Sequence, residues 1–166
     1  CVSIALRNKS ELLLGVVYDP CLDECFYAWK GGGAYLNGQS LQVSSVRSME
    51  ASFVVTELPY NSEQYARTGE YLIRELYGRV AGIRMNGSAA IALCYVAAGR
   101  FDAWLEAFLG KWDFSAAALI VQEAGGRVTD FYGNAGFIDG HHVVATNGWL
   151  HPFLLELVQK AMPLGM

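Results

Sequence analysis

The chain has 166 residues, enough for one domain with its own core and too few for two full ones. Its 12 basic and 16 acidic residues give a net charge of -4, and the basic residues are scattered rather than gathered into a patch, so no nucleic-acid partner is expected. The hydrophobic share is 53%; exchanging its 9 Tyr for the 18 Gly raises it to roughly 58% on the scale where ordinary domains run ~45–50%.

That excess calls for a cover. The longest apolar stretches, Ala89 to Ala98 and Ala116 to Val121, fall short of the ~20 residues that cross a bilayer, so no membrane association is expected and the chain reads as soluble. A partner subunit or a further segment of the same protein covering part of the surface is the better account. The sequence opens on Cys1 straight into a strand-like run with no leader before it, and reads as cut from something longer.

Taken in chain order, Cys1 to Leu6 and Leu12 to Tyr18 are rich in β-branched residues and joined by a polar turn, which predicts a hairpin. Glu24 to Trp29, with three aromatics, predicts a third strand. Asn37-Gly38 between Ala34 to Leu36 and Leu41 to Val43 predicts a tight hairpin. From Phe53 the pattern alternates: strand Phe53 to Thr56, helix Ser62 to Tyr77, strand Val80 to Met85, helix Ser88 to Ala98, strand Phe101 to Glu106 and helix Asp113 to Ala124. Strands Arg127 to Asp130 and Val143 to Thr146 and a helix Leu150 to Ala161 complete it. The expected fold is a layered α/β (α+β) sandwich: an antiparallel sheet portion over residues 1–50, continuing an N-terminal domain, then an α/β domain over 51–166. The helix Ala89 to Ala98 is apolar on every side and should be packed inside the layers. Apolar surface near Cys1 to Tyr18 and around that same helix is nonetheless expected to be exposed in the isolated chain.

Cys1, Cys21, Cys25 and Cys94 fit reduced thiols of a cytoplasmic protein better than a disulfide framework. Cys21 and Cys25 have no second Cys or His pair at zinc-like spacing. His141 and His142 sit in a Gly- and Asp-flanked loop and read as surface residues, and Asp102, Asp130 and Asp139 read as solvated.

The most informative segment runs from Gly110 to Asp130, GKWDFSAAALIVQEAGGRVTD. It places Asp113 in the first turn of a small-residue helix. A carboxylate there has an ordinary explanation as a cap that opposes the helix dipole. Glu106, however, ends the preceding strand one loop away, so two acids converge at a strand end and a helix start, where α/β proteins place ligands.

Trp112-Asp113, Ala116-Ala117, Leu119 to Val121 and Glu123 to Gly126 together resemble the second signature of the inositol monophosphatase family, within the magnesium-dependent, lithium-sensitive phosphatase superfamily. The likeness extends over Gly15 to Tyr18, Gly31 to Ser44, Thr56 to Leu58, Arg84 to Ala90, Glu106 and Ala145 to Asn147. Ser115 departs from the family's usual Ala or Cys. The resemblance implies hydrolysis of an inositol phosphate or related sugar phosphate with Mg2+ by a cytoplasmic homodimer. It also implies that Asp113 is a metal ligand lying against a substrate hydroxyl, that Glu106 accepts a substrate hydroxyl, and that Gly87, Ser88 and Ala89 line the substrate pocket. A Gly-Ser pair opening a helix agrees with the last point, because it presents N–H groups to an oxygen-rich ligand.

The family draws its other carboxylates from a Glu-Glu or Glu-Asp pair and an Asp-Pro-x-Asp-Gly-Thr motif, and neither occurs in this sequence. Asp19-Pro20-Cys21-Leu22-Asp23 has its acids four apart with no Gly-Thr after them, and reads as a turn. No other catalytic residue is expected in the chain, which alone should be inactive. A catalytically silent domain, or a fructose bisphosphatase or nucleotide phosphatase branch, is the alternative.

Overall fold

The computed structural model describes residues 1–57 and 62–162, leaving aside the side chains of 62–65 and 139. Two five-stranded sheets and four helices make four layers. The first sheet is antiparallel in the order β1 (Val2–Arg7), β2 (Leu12–Asp19), β3 (Glu24–Trp29), β4 (Ala34–Leu36), β5 (Gln39–Ser40). The second runs β7 (Gly82–Arg84), β6 (Phe53–Thr56), β8 (Ala103–Ala107), β10 (His142–Thr146), β9 (Arg127–Thr129). In it β6 is parallel to β7 and β8, while β10 is antiparallel to β8 and β9.

Helices α2 (Ala89–Ala97) and α3 (Lys111–Glu123) fill the layer between the sheets, and α1 (Ser62–Leu76) packs with α4 (His151–Ala161) on the far side of the second sheet. Strands covered on both faces have no polar side to show, which is why β6 and β10 read as near-continuous apolar runs. Val55, Trp104, Val143 and Ala145 face α2 and α3, whereas Val54, Ala103, Leu105 and Val144 face α1 and α4. By the same alternation Glu106 points with Trp104 toward the α2/α3 layer.

The β4–β5 hairpin differs from expectation in its return strand. Asn37 and Gly38 adopt φ of 48° and 86°, as a two-residue turn requires, so Leu36 pairs with Gln39 and the strand is Gln39–Ser40 rather than 41–43. Beyond it the Val43 N–H donates to the Ala124 carbonyl, which draws the chain to the end of α3. Helix α2 is buried from Ala90 to Ala97 apart from the partly covered Tyr95, so it contributes no exposed apolar surface; both of its broad faces are sandwiched. Asp102 is also not solvated. It is 4% exposed, with Oδ1 accepting from Ser44 Oγ at 2.5 Å and Oδ2 from the Phe53 N–H at 2.7 Å, because the 41–48 segment crosses over it. Asp130 caps a turn by accepting from the Tyr132 and Asn134 N–H groups, and the Asp139 side chain lies outside the described residues. Asp19 accepts from the Cys21 N–H, confirming a turn at Asp19-Pro20. No helix among the described residues is long and apolar enough to cross a membrane.

Candidate functional site

An open cavity of about 830 Å³ lies where β8 ends and α2 and α3 begin. Three stretches of chain meet there, and each has a local cause. The first is the β8 end. Phe108 takes a left-handed φ of 70°, uncommon for a bulky residue, and turns the chain sharply between Glu106 and Gly110. The second is the start of α3. Asp113 N donates to the Gly110 carbonyl at 3.0 Å, and Asp113 Oδ2 accepts from the Gly110 N–H at 2.8 Å, so the acid caps its own helix. The third is the turn before α2. Gly87 has a φ of 73°, a conformation that favours glycine, and Ser88 follows as N-cap with its Oγ 3.5 Å from the Ile91 nitrogen.

Gly87, Ser88, Ala89, Glu106 and Asp113 all line this one cavity. Glu57, Cys1, Ser3 and Trp112 line it as well; Glu57 and Trp112 lie within the stretches of the family likeness, but none of the four was given a site role from sequence. Glu57 stands just after β6, and its Oε1 accepts from the Asn86 N–H at 2.6 Å and the Gly87 N–H at 2.8 Å. Those two donors are therefore taken by protein. The first-turn N–H groups of α2, at Ala89 and Ala90, have no acceptor within the helix.

Three carboxylates share the space, and Glu106 bears the cost. Burial, then the charge of Glu57, then that of Asp113, push its pKa from 4.5 up to about 8. Among the described residues its Oε2 is buried without a hydrogen-bond partner. A buried acceptor in that state is short of a donor or a cation. The carboxylate oxygens are hard donors of the kind magnesium takes. Among the described residues, though, no three His, Cys, Asp or Glu side chains are grouped to hold a metal ion. Asp113 fits as a single ligand of a shell completed by other groups.

The histidines lie apart. His141 is exposed with Nδ1 3.0 Å from the Leu109 carbonyl, as a surface reading requires. His142 is instead half-buried, its ring against Phe108 and Phe131, because alternation along β10 turns it inward. His151, at the start of α4, is fully buried between the hydroxyls of Thr129 and Thr146.

Fold and cavity together define a layered α+β protein with a carboxylate-lined cleft between its sheets. The model of the inositol monophosphatase family matches residues 1–162. The Nus factor SuhB of Pseudomonas aeruginosa is 44% identical over 164 residues, 98% of this chain and 60% of that protein. The inositol-1-monophosphatase of Rhizobium meliloti is 37% identical over 164 residues, 98% of this chain and 61% of that protein. Among solved structures, the extragenic suppressor protein suhB of Bartonella henselae matches with a TM-score of 0.90 at 37% identity, over 95% of this chain and 61% of that one. An IMPase of Thermotoga maritima matches with a TM-score of 0.87 at 35% identity, over 97% and 61%. This chain belongs to the inositol monophosphatase family, and it spans about three fifths of the length of these relatives.

Proposed function

We propose that this chain supplies the polyol-binding side and one magnesium ligand of a phosphomonoesterase acting on an inositol phosphate or a related sugar phosphate. The observation that carries the reading is convergence: five residues separated by up to 26 positions, from Gly87 to Asp113, line one cavity. In this reading Asp113 holds Mg2+ and meets a substrate hydroxyl. Glu106 accepts a second hydroxyl, and Gly87, Ser88 and Ala89 receive oxygens at the start of α2. Magnesium, when bound, neutralises phosphate charge and lowers the pKa of the attacking water. The remaining ligands come from further chain in a protein of the relatives' length, and residues 1–50 continue an N-terminal sheet domain. The protein acts in the cytoplasm as a homodimer.

A second reading, a catalytically silent domain that keeps the fold and a polyol or partner site, is favoured by the relatives named Nus factor SuhB. Phosphate release measured against magnesium concentration separates the two. Turnover of an inositol phosphate by the protein at the relatives' length, rising with magnesium, is expected. No turnover at any magnesium concentration favours the silent domain.

A further inference from the structure

We propose that Glu57 is a positioning residue of the cavity, tying the 85–88 turn to the end of β6 so that the first turn of α2 meets a polyol or phosphate oxygen; this rests on the functional reading above. One oxygen of Glu57 accepts two successive N–H groups, those of Asn86 and Gly87, across about thirty residues of chain. Successive N–H groups turned toward one oxygen form a concave anion seat, and bonds to an ionised acceptor are roughly twice as strong as neutral ones.

Among the described residues, the turn's other hydrogen bonds are longer. Gly87 is left-handed, and a Cβ built on it would meet no atom within 4 Å, so this side of the turn faces open space. The strand before it, β7, is three residues long and lies at the sheet edge. The cap after it is long, at 3.5 Å from Ser88 Oγ to the Ile91 nitrogen. Next to these, the two Glu57 bonds at 2.6 and 2.8 Å are the firm contacts of the turn. Ser88 and Ala89 follow Gly87 directly, so a shift of the turn carries the cavity's donors with it. Glu57 also lines the cavity, so its charge has to be separated from its hydrogen bonding.

Two variants of the full-length protein make that separation: Glu57→Gln keeps an acceptor oxygen without charge, and Glu57→Ala removes both. Backbone amide signals of residues 86–89 report the turn, and titration with an inositol monophosphate in magnesium buffer, followed at the Ala89 and Ala90 amides, reports binding. Glu57→Ala is expected to move the 86–89 signals and weaken binding about tenfold, while Glu57→Gln keeps the signals in place and binds within about threefold of the parent. Unmoved 86–89 signals or undiminished affinity in Glu57→Ala overturn the proposal. So does a Glu57→Gln protein with its signals in place that binds as weakly as Glu57→Ala, since charge would then explain the loss. A parent protein that binds no inositol monophosphate overturns the functional reading, and the proposal with it.

Discussion

Gly15 in β2 lies so close to the Ala116 carbonyl in α3 that a Cβ at position 15 would come within 2.3 Å of the oxygen. The contact is backbone on backbone, made possible by the small residues Ser115, Ala116 and Ala117, and it fixes the height of α3 over the first sheet. Because α3 carries Asp113 at its start, this contact also sets where that acid stands. Ser115 keeps the arrangement by turning its Oγ back to the Lys111 carbonyl at 2.6 Å.

Gly15→Ala therefore forces the sheet and helix apart, with no flexible side chain to yield. A loss of about 1–3 kcal/mol is expected, at the upper end because the obstacle is backbone. Denaturant unfolding checks it: the midpoint should fall with the slope unchanged. A variant as stable as its parent would show that the close approach contributes nothing.

Glu106 and His151 should leave opposite marks on stability against pH. Glu106 ionises at 4.5 when unfolded and at about 8 when folded, so its contribution is complete below 4.5 and is lost as pH rises to about 8. His151 runs the other way: burial, then the charge of Arg127, lower its pKa from 6.5 to about 4, so the neutral ring's contribution is present above 6.5 and is lost as pH falls to about 4. Unfolding of the parent and of Glu106→Gln between pH 5 and 8 tests the first half. The variant should gain relative to the parent as pH rises, and a constant difference would refute the raised pKa. Ring signals of His151 titrating near 6.5 would refute the second half.

Local signals carried most of the architecture. The β-branched runs of β1 and β2, the Asn37-Gly38 turn and the small-residue helix after Trp112 each announce themselves within a few residues. The likeness of the 110–130 segment to a family signature supplied Asp113, and Glu106 followed from its place at the end of the preceding strand and from the wider likeness. What stayed hidden depends on distant partners. Glu57 falls in the Thr56 to Leu58 stretch of the likeness, but its role there comes from N–H groups about thirty residues on. Asp102 looks like a turn acid until Ser44 and the Phe53 N–H, 58 and 49 residues away, close over it. Glu123, part of the same signature, turns out to bind the Gly31 and Gly33 N–H groups, so its place there is that of a loop anchor.

Alternation along β1 turns Val2, Ile4 and Leu6 outward, each more than half exposed, beside Leu14 and Trp29 on the same face of the first sheet. The strand is also a sheet edge, so the face offers both apolar surface and unpaired backbone groups. The 166-residue chain by itself should bind a hydrophobic dye or self-associate, and Ile4→Lys should weaken either behaviour while changing stability by only about 0.5 kcal/mol. Light scattering and dye fluorescence provide the check. A monodisperse monomer that binds no dye would remove the case for a covered face.

Asp113 has two jobs in the proposed site, and substitution separates them. As a cap it accepts the Gly110 N–H, and as a ligand it offers negative charge to magnesium. Asp113→Asn keeps an oxygen for the cap and gives up the charge, so the fold should stay within about 1 kcal/mol of the parent. Turnover should nearly vanish, because a magnesium ion held by fewer charges neither lowers the pKa of its water nor supports the leaving oxygen as well. Asp113→Ala loses both roles, and should add a stability loss of about 0.5–2 kcal/mol to the same loss of turnover. Glu106→Gln, which leaves the metal ligand in place, should raise KM or alter selectivity more than it lowers kcat. For the 166-residue chain alone, a single carboxylate holds a reluctantly dehydrated ion weakly, and little or no phosphate release is expected. Phosphate release against magnesium, run on the short chain, the protein at the relatives' length and the three variants, decides each point. Full magnesium-dependent turnover by the short chain, or an Asp113→Asn protein as active as its parent, would refute the assignment of Asp113 as a metal ligand.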